Sequence, residues 1–403
     1  MTSTCWTRTQ DNNGIVWLML DRPGRSANAL SKVVLEELDA ILRDIALAVP
    51  RGLVIGSAKA SGFIAGADIK EFTTLSSVDE ARRLVRAGQS VLDRLEALPC
   101  PTVAMIEGFA LGGGLELALA CRYRVALDDG RLTLGLPEVM LGIHPGFGGT
   151  VRAVRLLGAA TALDLMLTGR NVRADKARRI GLIDALARDP EALKTLARDF
   201  VLTPRATHRP PLLQRALSWA PIRPFVKPRL LAQVRKKARQ EHYPAPYALI
   251  ELWFKHGAQG AVAYEAEADS IAQLFLTPTA RNLVRVFLLQ DALKAQGDKT
   301  LKAAEHVHVI GAGVMGADIA ALCATRGLHV TLQDRDAAIV EAAIRQEAIG
   351  SPEHVQAAQQ PHRDADGCET EQLQRTEAQL AAHIAGQQVG GGAQQRDRAP
   401  QHR

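Results

Sequence analysis

The sequence predicts an α/β protein: a layered α/β region, a helical segment, and then the beginning of a second α/β unit. Three observations carry this. Short apolar runs alternate with helical stretches as far as about residue 200. Prolines and basic residues crowd the stretch from Thr203 to Pro246. Beyond it, a strand pattern runs into Gly311-Ala312-Gly313-Val314-Met315-Gly316 at the head of a helix. A chain of 403 residues is expected to hold more than one domain. With 47% apolar but only 4% aromatic residues, its core must be built from aliphatic side chains. The formal charge of +6 suits an anionic ligand and makes no demand for nucleic acid.

Met1 to Asn13 is polar and carries no signal-peptide pattern, and no apolar run reaches membrane-spanning length. Cys5, Cys100, Cys121, Cys323 and Cys368 lack paired spacing, so neither a disulfide framework nor a metal site is expected. A reduced, cytoplasmic setting is the default.

Ile15 to Leu20 reads as a strand, closed by Asp21-Arg22-Pro23-Gly24. Ser31 can cap a helix whose apolar residues Val34, Leu35, Leu38, Ile41 and Leu42 keep helical spacing. Gly52 to Gly56 is a short buried strand. Phe63-Ile64 then lead through Ala65-Gly66-Ala67-Asp68, a small-residue turn, into a helical segment. Ser77-x-x-Glu80 is a capping box that opens a helix running to Leu98, where Pro99 stops it.

The stretch from Val103 to Pro145 organises the rest. Val103 to Ile106 reads as a buried strand, Gly108 and Gly112-Gly113-Gly114 follow, and Leu115 to Cys121 reads as a helix. Such glycines let backbone approach a ligand, and the first helical N–H groups have no partner of their own. Those donors suit an oxygen that gains negative charge. Glu116 stands among leucines and alanines about one turn into the helix, and Glu138 follows Pro137 in the apolar LGLPEVMLG. Two carboxyls in apolar surroundings beside amide donors have the parts for proton transfer next to a developing oxyanion. Helices are expected over Arg152–Gly158, Ala159–Leu167 and Ala174–Ile180, and a short strand over Leu182–Ala185.

The glycine turn, the Glu116 helix and Pro137-Glu138 followed by LGIHPGFGG (Leu141 to Gly149) together resemble the crotonase, or enoyl-CoA hydratase/isomerase, superfamily. The resemblance implies a β-β-α spiral with an acyl-CoA lying across it. It places the two oxyanion donors at the amides of Ala67 and Gly113, and the acid–base pair at Glu116 and Glu138.

In the Pro-rich stretch, Arg229, Arg235, Lys236, Lys237 and Arg239 form a basic cluster, read as a solvated helix in preference to a phosphate or nucleic-acid surface because no aromatic pattern accompanies it. Helices resume over Ala248–His256, Ala261–Leu276 and Arg281–Lys294, and Gly297-Asp298-Lys299 reads as a linker. His306–Ile310, the Gly311–Gly316 loop, a helix to Arg326 and His329–Gln333 ending at Asp334 form a dinucleotide fingerprint. Gly311, Gly313, Met315 and Gly316 would cradle the pyrophosphate of NAD, and Asp334 would hold its ribose hydroxyls.

The order hydratase, basic segment, Rossmann start resembles the multifunctional alpha subunits of bacterial fatty-acid oxidation complexes, from about Gly14 to about Val340. From Gln346 onward the chain is rich in Gln, Ala, Arg and His and has no Phe, Tyr or Trp, so it is expected to be disordered and out of frame. The expected organisation is a crotonase domain over 1–200, a helical basic linker completing it over 201–300, an incomplete Rossmann βαβ start over 301–345 and a tail over 346–403. Only two Rossmann strands are legible, so the second unit is expected to bind NAD weakly and to be dead as a dehydrogenase. His354, His362, His383 and His402 are taken as incidental. Three functional classes follow: an enoyl-CoA hydratase in β-oxidation, with isomerase activity open to the same acids; an NAD-dependent 3-hydroxyacyl-CoA dehydrogenase; and a non-catalytic crotonase-fold binding protein. The resemblance further implies partners of two kinds, a homo-oligomer or a thiolase beta subunit.

Overall fold

The computed structural model describes residues 4–296, 304–347 and 355–357, and the chain divides into two units, residues 1–296 and 297–403. The linker at Gly297–Lys299 and the four tail histidines lie outside the described residues. In the first unit β1 (Trp6–Gln10) and β2 (Ile15–Leu20) form a hairpin, followed by α1 (Lys32–Leu47), β3 (Gly52–Ser57), α2 (Ile69–Phe72) and α3 (Val78–Glu96). Next come β4 (Thr102–Ile106), β5 (Phe109–Leu111), α4 (Gly113–Ala120), β6 (Tyr123–Leu127) and β7 (Thr133–Gly135), then a 3₁₀ turn over Pro137–Leu141. Helices α5 (Gly149–Leu157), α6 (Ala159–Thr168) and α7 (Ala174–Arg179) precede β8 (Ala185–Ala187) and α8 (Pro190–Leu202). The unit closes with α9 (Leu212–Ala216), α10 (Arg223–Arg235), α11 (Pro244–His256), α12 (Gly260–Phe275) and α13 (Pro278–Ala295).

The main sheet has the order β1-β2-β3-β4-β6-β8, parallel except for the β1–β2 hairpin. Both of its faces are covered, which is why its strands read as continuous apolar runs. Leu53, Ile55, Ala104, Ile106 and Ala126 pack into the larger core, while Val54, Val103, Met105, Val125 and Leu127 pack with Leu193, Ala197, Phe200 and Val201 of α8. A narrow second sheet pairs β5 with β7, and single bridges from Ile64 to Ala110 and from Leu134 to Val172 extend it on both sides. Each pass of the chain thus adds one residue set to each sheet before its helix, the β-β-α spiral that the resemblance implies.

Local capping follows the sequence. Ser31 accepts from the Val34 amide and Ser77 from the Glu80 amide, although the Glu80 carboxylate reaches back to Ser76 in place of Ser77. One expected boundary shifts and two elements are added. β8 lies at Ala185–Ala187 and not at Leu182–Ala185, because Leu182 and Ile183 turn into the core straight after α7. Polar β1 is an edge strand with only Trp6 buried, so it shows no alternation. α8, absent from the sequence expectations, is set by the Asp189 cap, Pro190 and the spacing of Leu193, Ala197 and Phe200. Arg229, Arg235, Lys236, Lys237 and Arg239 are all exposed, but α10 ends at Arg235, so the last three lie in the connection that follows and not in a helix. Among the described residues no helix is long and apolar enough to cross a membrane.

The second unit holds β9 (His306–Ile310), α14 (Val314–Thr325), β10 (His329–Gln333), α15 (Ala337–Glu347) and β11 (Val355–Ala357) in a parallel sheet ordered β11-β10-β9. The third strand adds to the two legible in the sequence, and it lies beyond residue 345, where the Rossmann start was expected to end. Three residues, paired with Val330, Thr331 and Leu332, leave too short a pattern to read. A small core of Val309, Ala317, Ala320, Val330, Leu332, Val340 and Ala343 joins the helices to this sheet.

Candidate functional site

The bridge between Ile64 and Ala110 is parallel. Carried three residues further along both strands, its register sets Ala67 level with Gly113. The two amides do lie side by side: a methyl group added to Gly113 would sit 3.2 Å from the Ala67 nitrogen. Gly113 is the first residue of α4, and no side chain caps that helix. Gly112 before it has φ 49° and ψ −128°, a backbone state closed to side-chain-bearing residues. Neither amide donates to a backbone acceptor among the described residues. The sequence expectation of strand, glycines and helix is met, with β5 interposed.

Glu116 is 2% exposed. Its Oε1 accepts from the amides of Phe147 and Gly149, both at 2.7 Å. Burial, then the charges of Glu138 and Glu267, hold its acid well above the usual carboxyl range, against the pull of those two amides. Glu138 enters from the 3₁₀ turn, beside Gly112, where an added methyl would lie 3.0 Å from its Oε1. Both Glu138 oxygens are buried, and neither has a hydrogen-bond partner among the described residues. Burial pushes this acid up to about 8; its own backbone amide pulls the other way and Glu267 adds a smaller rise. An unpartnered buried carboxylate is costly, so the group is a neutral acid at pH 7 with its proton free to give.

Glu267 on α12 was not singled out in the sequence, and it is fully buried at the rear of this site. Oε1 accepts from the Gly148 amide at 2.6 Å and from Gln89 Nε2 at 2.9 Å. Oε2 accepts from the Thr150 amide at 3.0 Å and from the Thr150 hydroxyl. Around it, Arg152 Nη1 donates to the Phe147 carbonyl at 2.8 Å while the rest of its guanidinium pairs with Asp93 and Glu96. His144 Nδ1 donates to the Pro145 carbonyl at 2.7 Å and Nε2 accepts from Ser270 at 2.8 Å. Burial pushes that imidazole down to about 4, so it serves as a neutral link between this loop and α12.

In the second unit, Gly311 and Gly313 lie in the turn before α14, and Met315 and Gly316 lie in its first helical turn. A methyl on Gly316 would lie 1.7 Å from the Gly311 carbonyl oxygen, so only glycine lets α14 start against β9. Asp334 Oδ2 accepts from the Ala312 amide at 2.7 Å, and that bond above all lowers its acid. The carboxylate therefore also braces the glycine loop. A glycine loop at a helix N-terminus with an ionised acid at the end of the next strand fits NAD.

A family model described as enoyl-CoA hydratase/isomerase matches residues 10–216, and one described as 3-hydroxyacyl-CoA dehydrogenase, NAD binding domain, matches residues 306–384. The second match passes well beyond Val340, where the sequence reading ended the resemblance. The chain is 38% identical to the fatty acid oxidation complex subunit alpha of Aliivibrio fischeri over 334 residues, 81% of this chain and 48% of that protein. It is 39% identical to the subunit of that name from Shewanella amazonensis over 324 residues, 78% of this chain and 46% of the other. The chain thus spans about half the length of the curated relatives it matches. Among solved structures, enoyl-CoA hydratase from Bacillus halodurans superposes with a TM-score of 0.51 at 19% identity, over 70% of this chain and 100% of that one, which shows the fold. With its first domain matched across half the sequence, the chain belongs to the enoyl-CoA hydratase/isomerase family.

Proposed function

We propose that the first unit hydrates trans-2-enoyl-CoA thioesters to 3-hydroxyacyl-CoA in β-oxidation. One observation carries the reading: the buried, unpartnered Glu138 acid stands beside the amide pair of Ala67 and Gly113, with Glu116 in electrostatic reach. In this reading the thioester carbonyl accepts from the Ala67 and Gly113 amides. Glu116 takes a proton from water as the water oxygen bonds to the β-carbon. The electron pair of the double bond moves onto the thioester oxygen, where the two amides stabilise it. Glu138 then delivers its proton to the α-carbon and is left ionised, so the pair must exchange one proton between turnovers. The same acids support movement of a double bond from position 3 to position 2, which needs only proton removal and return.

The second unit is read as an NAD site held by the Gly311–Gly316 loop and Asp334. NAD, when bound, supplies a hydride acceptor. Weak affinity is the reading here, because Ile310, Val314 and Met315 stand 77%, 82% and 77% exposed about the loop. A cytoplasmic setting and pairing with a second copy or a thiolase subunit belong to the same proposal. The test is a short trans-2-enoyl-CoA incubated with the purified chain, with and without NAD. Loss of conjugated-thioester absorbance without NAD supports the hydratase. A second arm offers the 3-hydroxyacyl-CoA with NAD: NADH formed there supports the dehydrogenase, and no turnover in either arm supports a non-catalytic binding protein.

A further inference from the structure

Four consecutive amides, from Phe147 to Thr150, alternate between two carboxylates: 147 and 149 go to Glu116, 148 and 150 to Glu267. Every group that reaches Glu267 is a donor, since Gln89 Nε2 and the Thr150 hydroxyl complete its set. The orientation of the Gln89 amide is itself fixed, because Arg86 Nη1 donates to its oxygen at 2.6 Å while its nitrogen also serves the carbonyls of Gly146 and Tyr264. Burial raises the Glu267 acid above the usual carboxyl range, and the ring of donors opposes that rise by favouring the carboxylate form. Glu267 lies on α12 and Gln89 on α3, so the two packed helices clamp the turn from behind.

We propose that Glu267 is a positioning residue: by holding Gly148 and Thr150 it orders the turn whose other two amides, Phe147 and Gly149, aim the Glu116 carboxylate. The proposal rests on the hydratase reading above. It makes no use of Glu267 touching substrate. The ionisable groups around it are Glu116 on α4, Glu138 from the 3₁₀ turn, Arg86 through Gln89, Arg152 through the Phe147 carbonyl and His144 through the same loop. Its charge also raises both Glu116 and Glu138, so its removal lowers both acids.

The test compares Glu267→Gln with the wild-type chain and with Asp269→Asn, a change on the same helix at an exposed ion pair with Arg82. The Gln side chain keeps the shape but turns an NH₂ toward donors, so two of them lose their acceptor. Hydration of a short enoyl-CoA is expected to lose about 100-fold in kcat, the cost of a misplaced catalytic group, with KM little changed. The basic limb of the pH profile is expected at lower pH. Asp269→Asn is expected to match wild type in both. A Glu267→Gln chain with wild-type kcat and an unmoved profile overturns the proposal. If Glu267→Gln does not fold, Thr150→Ala removes one donor alone, and unchanged kcat in that variant overturns it equally. Hydrogen exchange separates this from the hydratase reading. The Phe147 and Gly149 amides bond to Glu116 and not to Glu267, so faster exchange there in Glu267→Gln supports the clamp even if no enoyl-CoA is turned over. Unchanged exchange at both amides overturns it.

Discussion

Glu116 and Glu138 carry opposite hydrogen-bond environments in one buried site: Glu116 accepts two backbone amides on a single oxygen, whereas neither oxygen of Glu138 has a partner among the described residues. Amide donors favour the ionised form and isolation favours the protonated one. The hydrogen bonds thereby sort the two carboxyls, a base and an acid in the proposed mechanism, while burial raises both above the usual range.

This sorting sets a pH dependence. Glu138 titrates at about 8, above an unfolded value near 4.5. The folded chain therefore binds this proton more tightly than the unfolded chain, and its contribution to stability is full below pH 4.5 and lost as pH rises through about 8. Hydration is expected to fall over the same rise, because the acid that protonates the α-carbon is gone. The pH–rate profile reads the first effect. Melting temperatures of wild type and Glu138→Gln read the second, with the variant gaining on wild type as pH rises from 4.5 to about 8 and no further beyond it.

Gly113→Ala places a methyl group 3.2 Å from the Ala67 nitrogen and 3.3 Å from the Phe147 ring. Alanine is a good residue at the start of a helix, so the fold should persist with a similar melting temperature. The space between the two amides would be filled. Loss of oxyanion donation is worth about 100- to 1000-fold in kcat, and steady-state kinetics beside a melting curve checks whether activity falls without the fold.

Gly316→Ala would drive a methyl into the Gly311 carbonyl oxygen. The glycine loop and α14 must then separate, and NADH binding, followed by its fluorescence, is expected to vanish while enoyl-CoA hydration is unchanged. Retained NADH binding would remove the loop from the cofactor site.

Much of this site was legible because its residues break a local pattern. Glu116 and Glu138 are carboxyls in apolar runs, and glycines cluster where backbone amides must be reached. Glu267 breaks no pattern: it sits in EAEAD between Glu265 and Asp269, which are surface acids paired with arginines on α3. Only its phase distinguishes it, four residues after buried Ala263 and four before buried Ile271. Strand β1 and the placement of β8 were missed for a related reason, since an edge strand and a three-residue strand carry too few buried positions to show a period. The pairing of Ala67 with Gly113 is a matter of strand register, which residue types alone do not reveal and which a family resemblance supplied.

The central claim, that Glu116 and Glu138 form the acid–base pair of a hydratase, is tested most directly by one measurement. Hydration of a short trans-2-enoyl-CoA is followed by the loss of conjugated-thioester absorbance, with Glu138→Gln beside wild type. The carboxamide keeps the shape and volume of the acid and removes its proton. The account predicts a folded variant whose kcat is lower by about 100- to 10,000-fold, the usual worth of a general acid, with KM within a few-fold of wild type. A Glu138→Gln chain that hydrates the thioester near the wild-type rate would contradict it.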